Sequence, residues 1–466
     1  MDHEYKNPNL WQNLADSERE ALFAYGERYK AFLDAGKTER EAAAEMLRQA
    51  HSHGFVDLAD VLAAGNMPAP GTKIVYNHKN KAVVCFVVGK KPLEQGMHII
   101  GAHIDSPRLD LKAHPLYEDG ELALLKTHYY GGIKKYQWIC QPLALHGVVY
   151  RADGGKVGVR IGDEPGDPVL YITDLLVHLS KRQNDSKLAD AITGEQLNAI
   201  IGHIPLDDAD EKEPVKAAIL AALHEKYGLI EEDLLLAELE LVPAQNAVDV
   251  GLDRGLIAAH GHDDRSCAYA AFEALLNLDT PEATAVGLFV DKEEIGSVGN
   301  TSMSARYFEN ILAELFALQG KDTELSVRRA LAASSVLSAD VTAALDPTFP
   351  DVHDKRNVAL LGHGVALCKF TGSRGKSGSN DANAEFLAAL RRAFADAGVP
   401  WQTCELGKVD EGGGGTIAYI LADRGAEVVD CGVPMLSMHA PIELASKADL
   451  YFTMKAYKAF FETAEL

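Results

Sequence analysis

The chain carries only six cysteines (Cys85, Cys140, Cys267, Cys368, Cys404 and Cys431), and no two of them form a CxxC pair. Neither a disulfide framework nor a thiolate metal site is therefore expected, and the six are predicted to be reduced, mostly buried thiols. Long hydrophobic runs are also missing. The longest, such as Ala82 to Val88, falls far short of the roughly 20 residues that span a bilayer. The opening Met-Asp-His-Glu-Tyr-Lys lacks the basic-then-apolar pattern of a secretion signal, so a cytoplasmic protein is expected. Positive charge is scarce too: 45 Lys and Arg against 68 Asp and Glu leave a net charge of -23. With no basic run to offset it, such a surface repels phosphates and anionic headgroups, which excludes nucleic-acid and membrane partners. Prolines number only 18, and there is no internal repeat or low-complexity tract, which indicates an ordered chain.

At 466 residues the chain exceeds the roughly 250–300 at which single cores stop growing, and more than one domain is expected. Leu10 to Gly36 and Thr38 to His53 place apolar residues at three- and four-residue spacing, a helical lead-in. Strands are predicted at Lys73 to Asn77, Ala82 to Gly89 and Met97 to Ala102. From Leu116 to about Val250 the texture changes to short β-like pieces punctuated by Gly and Pro, followed by an acidic helical stretch over Asp207 to Glu240. Its start, Asp207 to Glu213, reads as a solvated face. This segment, 116–250, is expected to be a β-rich domain inserted into a catalytic domain formed by 1–115 and 251–466. After Gly251 helices and strands alternate, with strands at Ala283 to Val290, Ser334 to Ala339, Val365 to Phe370, Trp401 to Leu406 and Glu427 to Cys431. That rhythm predicts an α/β fold on a mostly parallel central sheet flanked by helices, with its site at the carboxyl ends of the strands.

The acidic and histidine motifs stand where predicted strands stop. His103-Ile104-Asp105 ends the Met97 strand, Glu293-Glu294 follows the strand ending at Val290, and Asp340 follows Ala339. Asp263-Asp264-Arg265 opens a helix, and Met438-His439 follows the strand ending at Cys431. Two imidazoles and three carboxylates, His103, Asp263, Glu294, Asp340 and His439, match the ligand count of two divalent ions if one Asp is shared. A nitrogen and oxygen set without thiolate suits Zn2+ and also admits Co2+ or Mn2+. Asp105 is placed to orient His103 or to tune the nearby metal. The adjacent glutamates repel unless they take separate tasks; Glu294 is then the ligand, and Glu293 the general base that activates the metal-bridging water.

Taken together, Gly101-Ala102-His103-Ile104-Asp105-Ser106-Pro107-Arg108, His262-Asp263-Asp264-Arg265, Asp291-Lys292-Glu293-Glu294-Ile295-Gly296-Ser297, Ser338-Ala339-Asp340 and Leu436-Ser437-Met438-His439 resemble the motifs of the M18 metallopeptidases, the aspartyl aminopeptidase and aminopeptidase I group. The resemblance runs over essentially the whole chain. It implies a zinc exopeptidase-like fold with two Zn2+ per subunit. Asp263 would bridge, His103 and Asp340 would complete one metal, and Glu294 and His439 the other. Asp105 and Glu293 would be the catalytic acidic residues. It also implies that the inserted domain builds a dimer, with dimers assembling into a tetrahedral dodecamer, and that the substrates are short peptides cleaved at their N-terminus. Asp264 is the alternative bridging residue; Asp263 is chosen because related dinuclear peptidases use an Asp followed by any residue and then Lys or Arg. One feature departs from the aspartyl-specific branch, where a neighbouring subunit supplies a histidine from a segment like Leu170 to Leu179. Here Asp174 takes that place and only His178 is nearby. The preferred N-terminal residue, acidic or neutral, stays open, with Arg374 or Lys376 available to a substrate carboxylate.

Gly375-Lys376-Ser377 imitates a phosphate-binding loop, but Phe370 stands where that motif needs glycine. The Gly412 to Gly415 run is expected as a tight loop rather than a dinucleotide fingerprint, since it lacks the GxGxxG spacing.

Overall fold

A computed structural model describes residues 3–4, 6–207 and 210–465. The chain divides into two compact units. One comprises Met1–Asp105, Ala247–Met438 and Glu443–Leu466, the other Ser106–Asn246 with His439–Ile442.

Among the described residues, the first unit is built on a nine-stranded sheet. In sheet order its strands are Val56–Asp57, Lys73–His78, Ala82–Val87, Thr284–Val290, Met97–His103, Ser335–Ser338, Glu427–Gly432, Val365–Cys368 and Trp401–Thr403. Five of the pairings are parallel, including the central run from Thr284–Val290 through Met97–His103 and Ser335–Ser338 to Glu427–Gly432. Both faces are covered, and the strand sequences say why. In Ala-Val-Val-Cys-Phe-Val every residue is apolar; Val83, Cys85 and Val87 enter one buried cluster, and Ala82, Val84 and Phe86 the other. Side chains alternate along a strand, so a continuous apolar run buries both faces.

The lead-in helices Asp16–Ala35 and Glu39–Ser52 join the first of these clusters. Leu22, Tyr25, Tyr29 and Phe32 line one face at three- and four-residue spacing. The second helix begins at a capping box between Thr38 and Glu41. Tyr307–Ala317 and Thr323–Ala332 join the second cluster; the latter helix was not anticipated from the sequence. A smaller five-stranded sheet completes the unit, with Val248–Val250, Leu256–Ala259, Glu443–Ser446, Pro434–Leu436 and Thr342–Ala343 in order.

The second unit is a closed β-sheet. Its strand order is Glu238–Pro243, Arg108–Asp119, Leu122–Tyr130, Asn198–Gly202, Leu170–Tyr171, Pro142–Tyr150 and Lys156–Ile161, and Glu238–Pro243 also pairs with Pro142–Tyr150, closing the ring. Closure pairs the edges of the six ring strands, and Lys156–Ile161 pairs with Pro142–Tyr150 alone among the described residues. Leu109, Leu125, Leu145, Val149 and Leu241 fill its interior with Trp138.

Three sequence-based expectations need correction. The unit begins at Ser106 rather than Leu116, because Arg108 already pairs with Tyr130, in a ladder with Leu122–Tyr130 that shifts register between Leu111 and Leu116 and carries on to Asp119. The acidic stretch 207–240 is not one helix. Pro214 opens the helix Pro214–Tyr227, Gly228 in the left-handed region ends it, and Glu-Leu-Glu-Leu-Val alternates as a strand. At its start Asp207 and Asp210 to Glu213 are exposed, whereas Asp208 and Ala209 lie outside the described residues. Finally, the cysteines are not all free thiols. Cys368 and Cys404 form a disulfide, their Cα atoms 5.1 Å apart, and Cys140 is exposed. Parallel pairing of Val365–Cys368 with Trp401–Thr403 brings that pair together across 36 residues.

Candidate metal centre

The three central parallel strands stop at a common level. Val290 is in register with His103, and Ser338 with Gly101. The residues that leave these strands therefore meet: His103 and Asp105, then Glu293 and Glu294, then Asp340. The backbone ties them further, with Ile104 N–H donating to Val290 O at 2.8 Å and Ala339 N–H to Gly101 O at 2.7 Å. Gly432 on the next strand has no room for a side chain, since a Cβ there would lie 1.8 Å from the Asp340 carbonyl oxygen.

Asp263 arrives by a different route. Gly261, at φ +79, turns the chain into the helix His262–Leu276, but Asp263 and Asp264 keep non-helical dihedrals and the peptide between them is cis. Arg265 Nε donates to Ile104 O at 3.0 Å, joining this turn to the His103 segment.

His103 Nδ1 lies 3.0 Å from the Asp105 carbonyl oxygen. A carbonyl only accepts, so Nδ1 carries the proton and Nε2 faces Asp263 Oδ1 at 3.1 Å. Two ligands of one tetrahedral zinc, each about 2.0–2.1 Å from it, stand roughly 3.3 Å apart. Burial opposes charging of His103, yet Asp105 and Asp263 outweigh it and hold the imidazole well above its ordinary pKa. Burial drives the Asp264 carboxyl far up, His103 opposing and Asp263 adding. Asp340 is raised likewise by burial and then by the charges of Asp264 and Glu293. Both Asp264 oxygens are buried.

Among the described residues two groups of potential ligand atoms result, the atoms of each lying within 4.8 Å of one another: His103, Asp264 and Asp340, and His103, Asp263 and Glu294. Carboxylates this crowded and this buried repel unless a cation sits among them, and the imidazole and carboxylate donors fit zinc. Asp105 faces the same place, its two oxygens accepting the N–H groups of Glu293 (3.2 Å) and Glu294 (3.3 Å).

Comparison with known proteins places the chain in a family. The description "Aminopeptidase I zinc metalloprotease (M18)" matches residues 32–461. The chain belongs to the M18 aminopeptidase family. A probable M18 family aminopeptidase 1 of Clostridium acetobutylicum is 51% identical over 457 residues, 98% of each chain. One from Thermotoga maritima is 47% identical over 456 residues, covering 97% of this chain and 98% of the relative. The crystal structure of an M18 family aminopeptidase from Thermotoga maritima superposes with a TM-score of 0.94 at 46% identity, covering 98% of this chain and all of that one. The S. cerevisiae mApe1 dodecamer shares the fold at TM-score 0.75 and 20% identity, with 94% and 96% of the two chains covered. As an M18 aminopeptidase the chain is a zinc-metalloprotease-type hydrolase acting at peptide N-termini.

Of the residues singled out in the sequence, the structure gathers His103, Asp263, Glu294 and Asp340 into the two groups, with Asp105 and Glu293 alongside. His439 belongs to neither group; it lies in the second unit, where Nδ1 is 2.8 Å from Gly132 O. Asp264 is in the first group although the sequence offered it only as the alternative bridge. Its signal was adjacency to Asp263. Glu443, whose carboxylate accepts the Asp263 N–H at 3.1 Å, drew no notice in the sequence. Among the described residues no helix is long and apolar enough to cross a membrane. The Gly412 to Gly415 run is an extended contact, Gly413–Gly414 pairing with Gly372–Ser373.

Proposed function

We propose that the chain is a dinuclear zinc aminopeptidase in which His103, Asp263, Glu294, Asp340 and His439 hold the metals and Glu293 is the general base. The observation that carries this reading is the pair of ligand groups that share His103, one containing Asp340 and the other Glu294. His439 enters on the motif Leu436-Ser437-Met438-His439 alone. Asp263 is assigned the bridging position, with Asp264 next to it as the competing choice.

Zinc, when bound, polarises the scissile carbonyl and lowers the pKa of water toward neutrality. Glu293 then takes a proton from the attacking water and hands it to the departing amine nitrogen. Its amide is held by Asp105, so the Glu293 side chain starts from a fixed backbone position. Glu293 and Glu294 are successive residues of one short turn, Glu293–Ile295, entered through Lys292 at φ +69, and neighbouring residues of such a turn do not share a face, which suits the two glutamates to the different tasks assigned here. Short peptides with an acidic or neutral N-terminal residue are the proposed substrates, in the cytoplasm. The barrel unit is assigned to dimer formation, and the dimers to a dodecamer like that of the S. cerevisiae fold neighbour.

Glu293→Gln tests the base. It should keep wild-type metal content and lose turnover of aminoacyl-anilides by about 100-fold or more; equal activity sinks the assignment. A panel with Asp, Glu, Leu, Met and Lys leading, before and after chelation and zinc or cobalt restoration, settles metal dependence and preference. Analytical ultracentrifugation reads the assembly.

A further inference from the structure

Helix starts leave N–H groups without intrahelical acceptors. At the start of His262–Leu276 the first helical bond runs from Arg265 N–H to Gly261 O, so the Asp263 amide needs a partner from elsewhere in the fold. That partner is the carboxylate of Glu443, 3.1 Å away and only 1% exposed. Glu443 opens the strand Glu443–Ser446, in register with Ala259 of Leu256–Ala259. The chain leaving Ala259 reaches Asp263 four residues later, so the ladder itself brings the acceptor beside the turn.

The neighbouring residues are held as well. Tyr29 O–H donates to His262 Nδ1 at 2.8 Å while His262 Nε2–H donates to Ile257 O at 3.1 Å, and Arg265 reaches Ile104 O. Of these contacts only the Glu443 bond falls on the backbone of Asp263 itself, and the direction of that backbone decides where the Asp263 carboxylate points. Its Oδ1 stands 3.1 Å from His103 Nε2, a geometry that an ångström of drift would spoil.

We propose that Glu443 is a positioning residue: by accepting the Asp263 amide it fixes the orientation in which Asp263 is presented beside His103 to a metal ion. This inference rests on the reading of Asp263 as a ligand. Outer contacts of this kind typically change metal retention or activity by about 10- to 100-fold.

The test uses the full-length assembly and four variants, Glu443→Ala, Glu443→Gln, Glu443→Met and Asp263→Ala. Zinc retention is read against graded chelator, the visible spectrum after cobalt loading, and thermal midpoints after metal removal. Glu443→Ala should release zinc at a chelator concentration at least about 10-fold lower and shift the cobalt spectrum, with a metal-free midpoint near wild type. Glu443→Gln, which keeps an acceptor oxygen, should recover most of the retention. Glu443→Met keeps the volume without the acceptor and is read in the same way should the alanine variant not fold. Wild-type retention and spectrum in both Ala and Met variants overturn the proposal, as does an equal loss in Gln and Ala that follows a fall in the metal-free midpoint. Asp263→Ala separates the two readings. If it leaves metal binding unchanged, the ligand assignment itself is overturned; if it abolishes binding while Glu443→Ala and Glu443→Met do not weaken it, only the role of Glu443 fails.

Discussion

Replacing Asp105 by asparagine tests how the site is built. The carboxylate makes two contacts to backbone N–H groups, 3.2 Å to Glu293 and 3.3 Å to Glu294, and Oδ1 is 3.3 Å from His103 Nδ1. One side chain thus holds the proposed base, one proposed ligand and the imidazole of another. An amide has a single acceptor oxygen. The substituted side chain can satisfy one of the two N–H groups, and its own NH2 then faces the other, donor against donor. Bonds to charged groups contribute about 1.5–3 kcal/mol, and a buried donor left without an acceptor is as costly. Taking about 2 kcal/mol for the net loss gives roughly a 30-fold fall in kcat/KM at 1.4 kcal/mol per factor of ten. Steady-state hydrolysis of an aminoacyl-anilide, with zinc content measured on the same sample, reads the effect. Asp105→Glu should not restore it, since the longer chain displaces both oxygens. An Asp105→Asn enzyme within about threefold of wild type, with unchanged zinc retention, refutes the clamp.

Two further expectations concern stability. His98, buried against Phe460, has its pKa pushed down to about 4, chiefly by burial, against a usual 6.5. The unfolded chain therefore binds the proton first, and stability present above about pH 6.5 is lost as pH falls toward 4, by about 3 kcal/mol in all; thermal midpoints of His98→Leu should fall less steeply over that window, and an unchanged slope contradicts this. Asp449, fully buried, accepts the N–H groups of Gly362 and Gly364, both at 2.7 Å. Asp449→Ala strands them, and denaturant unfolding should show a loss of about 3 kcal/mol, whereas a change below about 1 kcal/mol would mean that the 362–364 turn relaxes to find other partners.

The α/β character was legible because it depends on local pattern. Ala-Val-Val-Cys-Phe-Val, short, continuous and rich in β-branched residues, reads as a strand buried on both faces, and the residue after such a strand is where a parallel sheet exposes chemistry. His103, Glu294 and Asp340 were found that way, as strand-end residues whose convergence needs only that neighbouring strands run parallel and in register, as Val290 with His103 and Ser338 with Gly101 do. Asp263 came from its motif.

What stayed hidden depends on long-range pairing. Cys368 and Cys404 carry no spacing signal, and only the pairing of Val365 with Trp401 makes them neighbours. Glu443 looks in sequence like any glutamate opening a strand. It becomes the acceptor for Asp263 because Leu256–Ala259 is its ladder partner, a contact across 180 residues. The same holds for the division between Asp263 and Asp264: neighbouring carboxylates in one turn differ in function only through which atoms their side chains meet, and here one meets His103 Nε2 and Glu294 while the other groups with Asp340. Motifs thus point to the proposed donors, and the ladder between distant strands supplies the contacts that aim them. It follows that variants at the proposed ligands His103, Asp263, Glu294 and Asp340 should abolish metal binding outright, whereas variants at Asp105 and Glu443, which hold the backbone of the proposed ligands, should weaken it in graded steps that a conservative replacement partly reverses only where one acceptor oxygen suffices, as at Glu443, and not where two are needed, as at Asp105.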